Sequence, residues 1–261
     1  MKTRILSLLL SLALVFGSLF FAAPAVTTAN AYPARISLLT PANADSTRFV
    51  DISSQQGQVD FFAMKAAGVR GVMLRASYEY EPDARFYEYA IGAKLAGLEY
   101  GAYAYVTWQF NTNLQQAYLQ ATRQAAVLLA QLALVPVRGY VVLDIERLNL
   151  PINLTVREMT EVSNYFLGLI RAAGYSPMLY TSIDFLMTGL DASRITDPLW
   201  IANYTDVNTT SLPNDKYGKA LKKLGPQLRF WQYTHKGRGA DYGVSHKYID
   251  LNYCFGSFVP Q

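Results

Sequence analysis

From Arg48 to Asn252, short apolar runs rich in β-branched and aromatic residues alternate with segments of helical character. This alternation constrains the fold most, because strand–helix–strand units pair their strands in parallel through right-handed crossovers. The strands read as R-F-V-D-I-S, V-R-G-V-M-L-R-A, E-Y-G-A-Y-A-Y-V, G-Y-V-V-L-D-I-E, Y-S-P-M-L-Y-T-S, P-L-W-I-A-N-Y, L-R-F-W-Q-Y and K-Y-I-D-L-N. Helices are expected from Asp60 to Gly68, between Asp83 and Gly97, from about Asn113, and from Thr155 to Gly174. Thr112 and Gln115 have capping-box spacing; Thr155 and Glu158 form a better box. Eight such strands in one domain predict an α/β fold, a modified TIM-like (β/α) barrel. The later connections are short or polar, and residues 205–226 read as a loop, so the outer helix ring is expected to be incomplete.

The start of the 261-residue chain reads differently. Lys2 and Arg4 precede a long apolar run, and the small-residue site Ala29-Asn30-Ala31 follows. That order predicts a secretory signal over residues 1–31, a linker over 32–47 and one barrel domain over 48–261. The run is long enough for an uncleaved anchor, but no basic stop-transfer flank follows it. The expectation is export to the exterior or the cell wall, with no stable membrane insertion after cleavage. Cleavage leaves about 230 residues and lowers the formal charge from +4 to about +2. With no basic cluster, nothing argues for nucleic acid. The lone Cys254 excludes an internal disulfide and reads as a small buried apolar residue. His235 and His246 lack cysteine partners and close spacing, and no G-x-S-x-G occurs. No metal site, nucleophilic triad or cofactor is therefore expected. We read the mature chain as a monomer.

In a parallel barrel the functional face lies at the C-terminal strand ends. Asp51 ends the first strand, Asp144 and Glu146 end the fourth, and Asp250 lies near the end of the eighth. The first and eighth strands are neighbours in a closed barrel, so Asp51 and Asp250 should lie side by side. Residues i and i+2 of a strand share a face, and two rises of ~3.3 Å set Asp144 and Glu146 roughly 6–7 Å apart. Two carboxyls at that scale can flank a glycosidic bond. Repulsion and burial raise at least one pKa, as a general acid requires. The plainer alternatives are a turn-forming role for Asp51 and pairing of Asp144 or Glu146 with Arg147.

Seven segments in order resemble glycoside hydrolase family 25, the Chalaropsis-type lysozymes. They are V-D-I-S-S-Q-Q-G from Val50, A-G-L-E-Y-G-A-Y from Ala96, V-V-L-D-I-E from Val141, A-A-G-Y-S-P-M-L-Y-T-S from Ala172, P-L-W-I-A-N-Y from Pro198, F-W-Q-Y-T from Phe230 and I-D-L-N from Ile249. The resemblance implies a barrel with few helices that cuts the β-1,4 bond between N-acetylmuramic acid and N-acetylglucosamine in peptidoglycan glycan strands. It also implies Glu146 as general acid, Asp144 as its companion, and Asp51 and Asp250 completing the acidic floor. Two departures stand out. Where the family carries a Glu after the second strand, this chain has Tyr78, with Glu79 one residue late; where it often has Tyr-His-Phe, this chain has Tyr103-Ala104-Tyr105.

Sugar-binding walls are expected from Tyr103, Tyr105, Tyr180, Trp200, Tyr204 and Trp231, with Glu79 beside them, because pyranose C–H faces pack on aromatic rings. Two other functions compete with the muramidase reading. One is a non-catalytic glycan-binding barrel, which the departures favour. The other is a chitinase-like hydrolase; those enzymes usually place an additional Asp two positions before the D-x-E, where this chain has Val142. Asn153, Asn203 and Asn208 begin N-x-T triplets, read as chance matches.

Overall fold

The computed structural model describes residues 46–108, 112–146, 153–206, 208 and 211–260. The expected signal at 1–31, nearly all of the expected linker, and Arg147 lie outside the described residues. Among the described residues no helix is long and apolar enough to cross a membrane.

Among the described residues nine strands form one sheet: β1 (Ser46–Ile52), β2 (Gly71–Tyr78), β3 (Glu81–Pro82), β4 (Glu99–Val106), β5 (Val141–Ile145), β6 (Pro177–Ser182), β7 (Leu199–Ala202), β8 (Leu228–Arg238) and β9 (Tyr248–Phe255). Their order is β1-β9-β8-β7-β6-β5-β4-β2-β3, and β1 also pairs with β2. That pairing closes an eight-stranded barrel, with the two-residue β3 outside it. The crossovers carry α1 (Phe61–Ala66), α2 (Phe86–Ala96), α3 (Leu114–Leu134), α4 (Val156–Ala172), α5 (Ile183–Thr188) and α6 (Lys216–Lys223).

The caps explain why these helices start where they do. Asp60 accepts from the backbone N–H groups of Phe62 and Ala63 at the start of α1. Thr155 and Glu158 form the expected box at α4. The box at α3 falls one residue later than expected, on Asn113 and Gln116: Asn113 Oδ1 accepts from the Gln116 N–H at 2.9 Å, and Gln116 Oε1 accepts from the Asn113 N–H at 3.1 Å. Gly97 ends α2 at φ 67°, a left-handed cap that only glycine adopts without strain.

Two expectations need correction. Residues 205–226 are not all loop, because α6 forms there, capped by Asp215 and anchored through buried Leu221. And β9 does not continue the parallel series; it runs antiparallel to both β8 and β1. The link between β8 and β9 runs only over residues 239–247 and holds one short 3-10 helix, Gly239–Tyr242, too little chain for a parallel crossover, so it returns antiparallel. The ring of helices is therefore open at this point, as expected.

Side-chain alternation divides the buried residues into two cores. Outward-facing Val50, Leu74, Leu143, Leu179 and Ile201 pack beneath the helices with Phe86, Leu128 and Phe166. Inward-facing Phe49, Met73, Val142, Met178, Phe230, Cys254 and Phe258 fill the barrel. Cys254 is buried there as the small apolar residue expected. Gly101 is needed at this level: a Cβ would come within 2.6 Å of the Tyr140 carbonyl and 2.7 Å of Met73.

Candidate active site

Two residues beyond the apolar filling, the inward row turns polar. The register aligns Asp51 with Asp250, Tyr105 with Asp144, Asp144 with Tyr180, Tyr180 with Trp200, and Gln232 with Asn252. Asp250 is only the third residue of β9. It reaches the same mouth as the other acids because β9 runs the other way, so it sits at the start of its strand and not near the end. The side-by-side placement of Asp51 and Asp250 is as expected.

Asp51, Asp144, Glu146 and Asp250 line one cavity of about 350 Å³, together with Tyr103, Tyr105, Tyr180, Trp200 and Tyr204. That volume lies within the range of small-ligand sites. Trp231 and Glu79, the other two expected wall residues, do not line it. Trp231 is fully buried in the outer core, its indole N–H donating to the Asn203 carbonyl at 3.0 Å. Phe230 and Gln232 take the inward positions of β8, so the residue between them faces out. Glu79 follows a bulge in β2 between Arg75 and Ser77. The bulge shifts the alternation so that Tyr78 pairs with Tyr105 and joins the inward row, leaving Glu79 in a turn at φ 53°.

Sequence reasoning missed five lining residues of consequence: Ser53, Gln56, Arg75, Tyr78 and Gln232. Parity held the signal for two of them, since Arg75 and Gln232 stand two residues after inward-facing Met73 and Phe230. Tyr78 stacks on Tyr105, with centroids 5.0 Å apart and planes at 8°.

A hydrogen-bond network orients the floor. The Trp200 indole can only donate, and it donates to Asn252 Oδ1 at 2.8 Å. That fixes the Asn252 amide, whose Nδ2 donates to Asp51 Oδ2 at 2.8 Å. The hydroxyls of Tyr180 and Tyr204 donate to Gln232 Oε1 at 2.8 and 3.0 Å, so Gln232 Nε2 donates to the same Asp51 oxygen at 3.0 Å. Asp51 is thereby held as an acceptor. Burial pushes its pKa up to about 6, opposed by the two amide donors and reinforced by Glu146. Asp250 receives no such help, and Asp144 only that of the Arg75 guanidinium. Burial, then the neighbouring carboxylates, hold both well above the usual carboxylate range. Asp144 Oδ1 is buried with no hydrogen-bond partner among the described residues. Glu146 is only partly buried, and desolvation raises its pKa. Arg75 is the one base among the lining residues, and its Nε is committed to buried Asp83 at 2.8 Å. One guanidinium does not offset the burial and mutual repulsion of four carboxyls, which keep their pKa values raised.

The profile of Glycosyl hydrolases family 25 matches residues 50–242. An autolytic lysozyme of Clostridium acetobutylicum is 27% identical over 156 residues, 59% of this chain and 44% of that protein. The chain thus spans less than half the length of this curated relative. The Clostridium perfringens spore cortex lytic enzyme SleM superposes with a TM-score of 0.62 at 25% identity, over 81% of this chain and 68% of the other. A lysozyme from Streptomyces coelicolor shares the fold with a TM-score of 0.60 at 24% identity, over 82% and 94%. The family profile spans the barrel from the strand bearing Asp51 to the turn before β9, and the chain belongs to glycosyl hydrolase family 25.

Proposed function

We propose that the cavity binds peptidoglycan glycan strands and hydrolyses the β-1,4 bond between N-acetylmuramic acid and N-acetylglucosamine. The observation that carries this reading is the meeting of Asp51, Asp144, Glu146 and Asp250 in one cavity open to solvent. The relatives named lysozyme support the choice of bond.

Glu146 is the general acid. It is partly exposed at the mouth, and desolvation favours its protonated form. It gives that proton to the glycosidic oxygen as the bond to the anomeric carbon breaks, and positive charge develops on the ring. Asp144 Oδ1, buried and without a partner among the described residues, accepts from the N–H of the 2-acetamido group. That turns the acetamido oxygen toward the anomeric carbon, to which it bonds as the leaving sugar departs; water then attacks that carbon, the bond to the acetamido oxygen breaks, and Glu146 takes the proton that water gives up. Asp51, fixed as an acceptor by Gln232 and Asn252, supplies negative charge on the same side. Asp250 beside it shares the acidic floor. Tyr103, Tyr105, Tyr180, Trp200 and Tyr204 bound the sugar. The protein acts as a monomer at the cell wall or outside the cell, exported by residues 1–31.

A second reading is a glycan binder without turnover, favoured by Tyr78 standing where the resembling pattern has a carboxylate. Release of reducing ends from purified wall separates the two. Hydrolysis by the wild type that is lost in Glu146→Gln supports the enzyme; retention on wall with no reducing ends supports the binder.

A further inference from the structure

The lysines are unevenly placed. Among the described residues only Lys65 and Lys94 lie outside 216–247. Lys216, Lys219, Lys222 and Lys223 stand on α6, Lys236 in β8, and Lys247 just before β9, all six exposed. Among the described residues no ion pair holds any of the six, whereas Arg85, Arg157, Arg171, Arg194 and Arg238 each sit against a carboxylate. The two acids within residues 211–247 are already engaged. Asp215 caps α6, accepting from the Gly218 N–H at 2.8 Å, and Asp241 holds Arg238. Helix α6 gathers its four charges within about 10 Å of axis, on the face opposite buried Gly218 and Leu221.

Helix stability does not account for this arrangement. Lys222 and Lys223, in the last turn, complement the helix dipole, but Lys216 and Lys219 in the first half oppose it. Like charges three and four residues apart, as Lys219 is from Lys216, Lys222 and Lys223, also repel. The helix flanks the acidic mouth: Tyr217 lines a cavity of about 370 Å³ together with Tyr204 and Glu146. On the far side of Tyr204 the ring of His235 packs at 4.5 Å, next in sequence to Lys236. A cationic flank thus borders a mouth whose own carboxyls repel anions.

We propose that α6, with Lys236 and Lys247 beside the mouth, is a docking surface for a phosphodiester-linked polymer carried by the cell wall. The proposal rests on the wall as the substrate. A cationic flank draws in an anionic wall that the acids alone would repel. Charge count and side-chain type choose the partner. A stem peptide offers few carboxylates, and guanidinium forks suit those best; α6 has no arginine. A row of lysine point charges matches a row of phosphates.

The test is co-sedimentation of Glu146→Gln protein with purified wall, which reads retention without cutting. Retention falls as salt rises from about 0.05 M to about 0.5 M, because exposed charges are screened. Replacing Lys216, Lys219, Lys222 and Lys223 by Gln lowers retention about tenfold at the lower salt. Lys236→Gln with Lys247→Gln lowers it about threefold, and keeps the test open should the α6 variant misfold. On wall stripped of its phosphodiester polymers, parent and variants bind alike. Variants retained as well as the parent overturn the proposal. So does a difference that persists on stripped wall, which assigns the lysines to peptide carboxylates. Lysine-dependent retention by a protein whose wild type releases no reducing ends keeps the docking surface while the hydrolase reading fails.

Discussion

At the base of the barrel the inward-facing residues include Phe49, Met73, Val142, Phe230 and Cys254; one inward step higher on the same strands stand Asp51, Arg75, Asp144, Gln232 and Asn252. The base packs ring on ring, Phe49 to Phe230 at 4.5 Å and Phe230 to Phe258 at 5.3 Å. The mouth gathers acids that repel, with one carboxyl oxygen unpartnered among the described residues. Neither arrangement makes sense alone. A cluster of buried acids disfavours the folded state, and persists only because the surrounding packing over-determines it. The strand period of two puts both sets on one lining, so the base holds the strands that aim the acids.

If that division is right, mutations at the two ends separate activity from stability. The largest effect is expected at the mouth: Glu146→Gln lowers kcat on wall substrate about 10²–10⁴-fold with Tm nearly unchanged, read by reducing-end release and calorimetry. A parallel collapse of Tm would erase the distinction. At the base, Phe258→Ala removes a ring packed on Phe49 and Phe230 and lowers unfolding free energy by about 3–5 kcal/mol in denaturant titrations. The folded fraction keeps kcat within about threefold at 25 °C.

Between the two lies Gln232→Leu. It removes one of the two amide donors that stabilise ionised Asp51, so the Asp51 pKa moves above its value of about 6. The acid limb of the kcat/KM profile moves to higher pH, with about a tenfold loss at pH 6. Glu146, Asp144 and Asp250 face the same cavity, so Gln232→Glu, which adds another acid, shifts the limb further than Leu does. An unmoved limb detaches the network from the chemistry.

The smallest effect is on pH-dependent stability. The acids at the mouth have folded pKa values above their unfolded ones, so the folded state binds more protons than the unfolded state between those values. Stability from this source is full below about pH 4 and lost as pH rises through the folded values. Tm therefore falls between pH 5 and pH 8, and Asp144→Asn flattens the fall. A Tm that rises over that range contradicts the raised values.

The barrel was legible because strand and helix periods alternate along the chain and because closure makes the first and last strands neighbours. That closure alone set Asp51 beside Asp250. The direction of β9 was not legible, since a period of two reads the same both ways and only the short link over residues 239–247 decides it. Helix α6 hid in a polar, lysine-rich stretch because it buries little beyond Leu221. The site was half legible. The acids announced themselves as charges at the ends of apolar runs, but Trp231 was assigned by residue type when its parity pointed outward. The bulge before Ser77, which trades Glu79 for Tyr78, leaves no mark on the hydrophobic pattern.

The central claim is that the four acids at the mouth form one reaction site, and mass spectrometry of fragments from digested peptidoglycan tests it most directly. The account predicts soluble fragments whose new reducing end is N-acetylmuramic acid, produced by the wild type and absent with Glu146→Gln. Intact glycan strands after wild-type digestion, or the same fragments from both proteins, would contradict it.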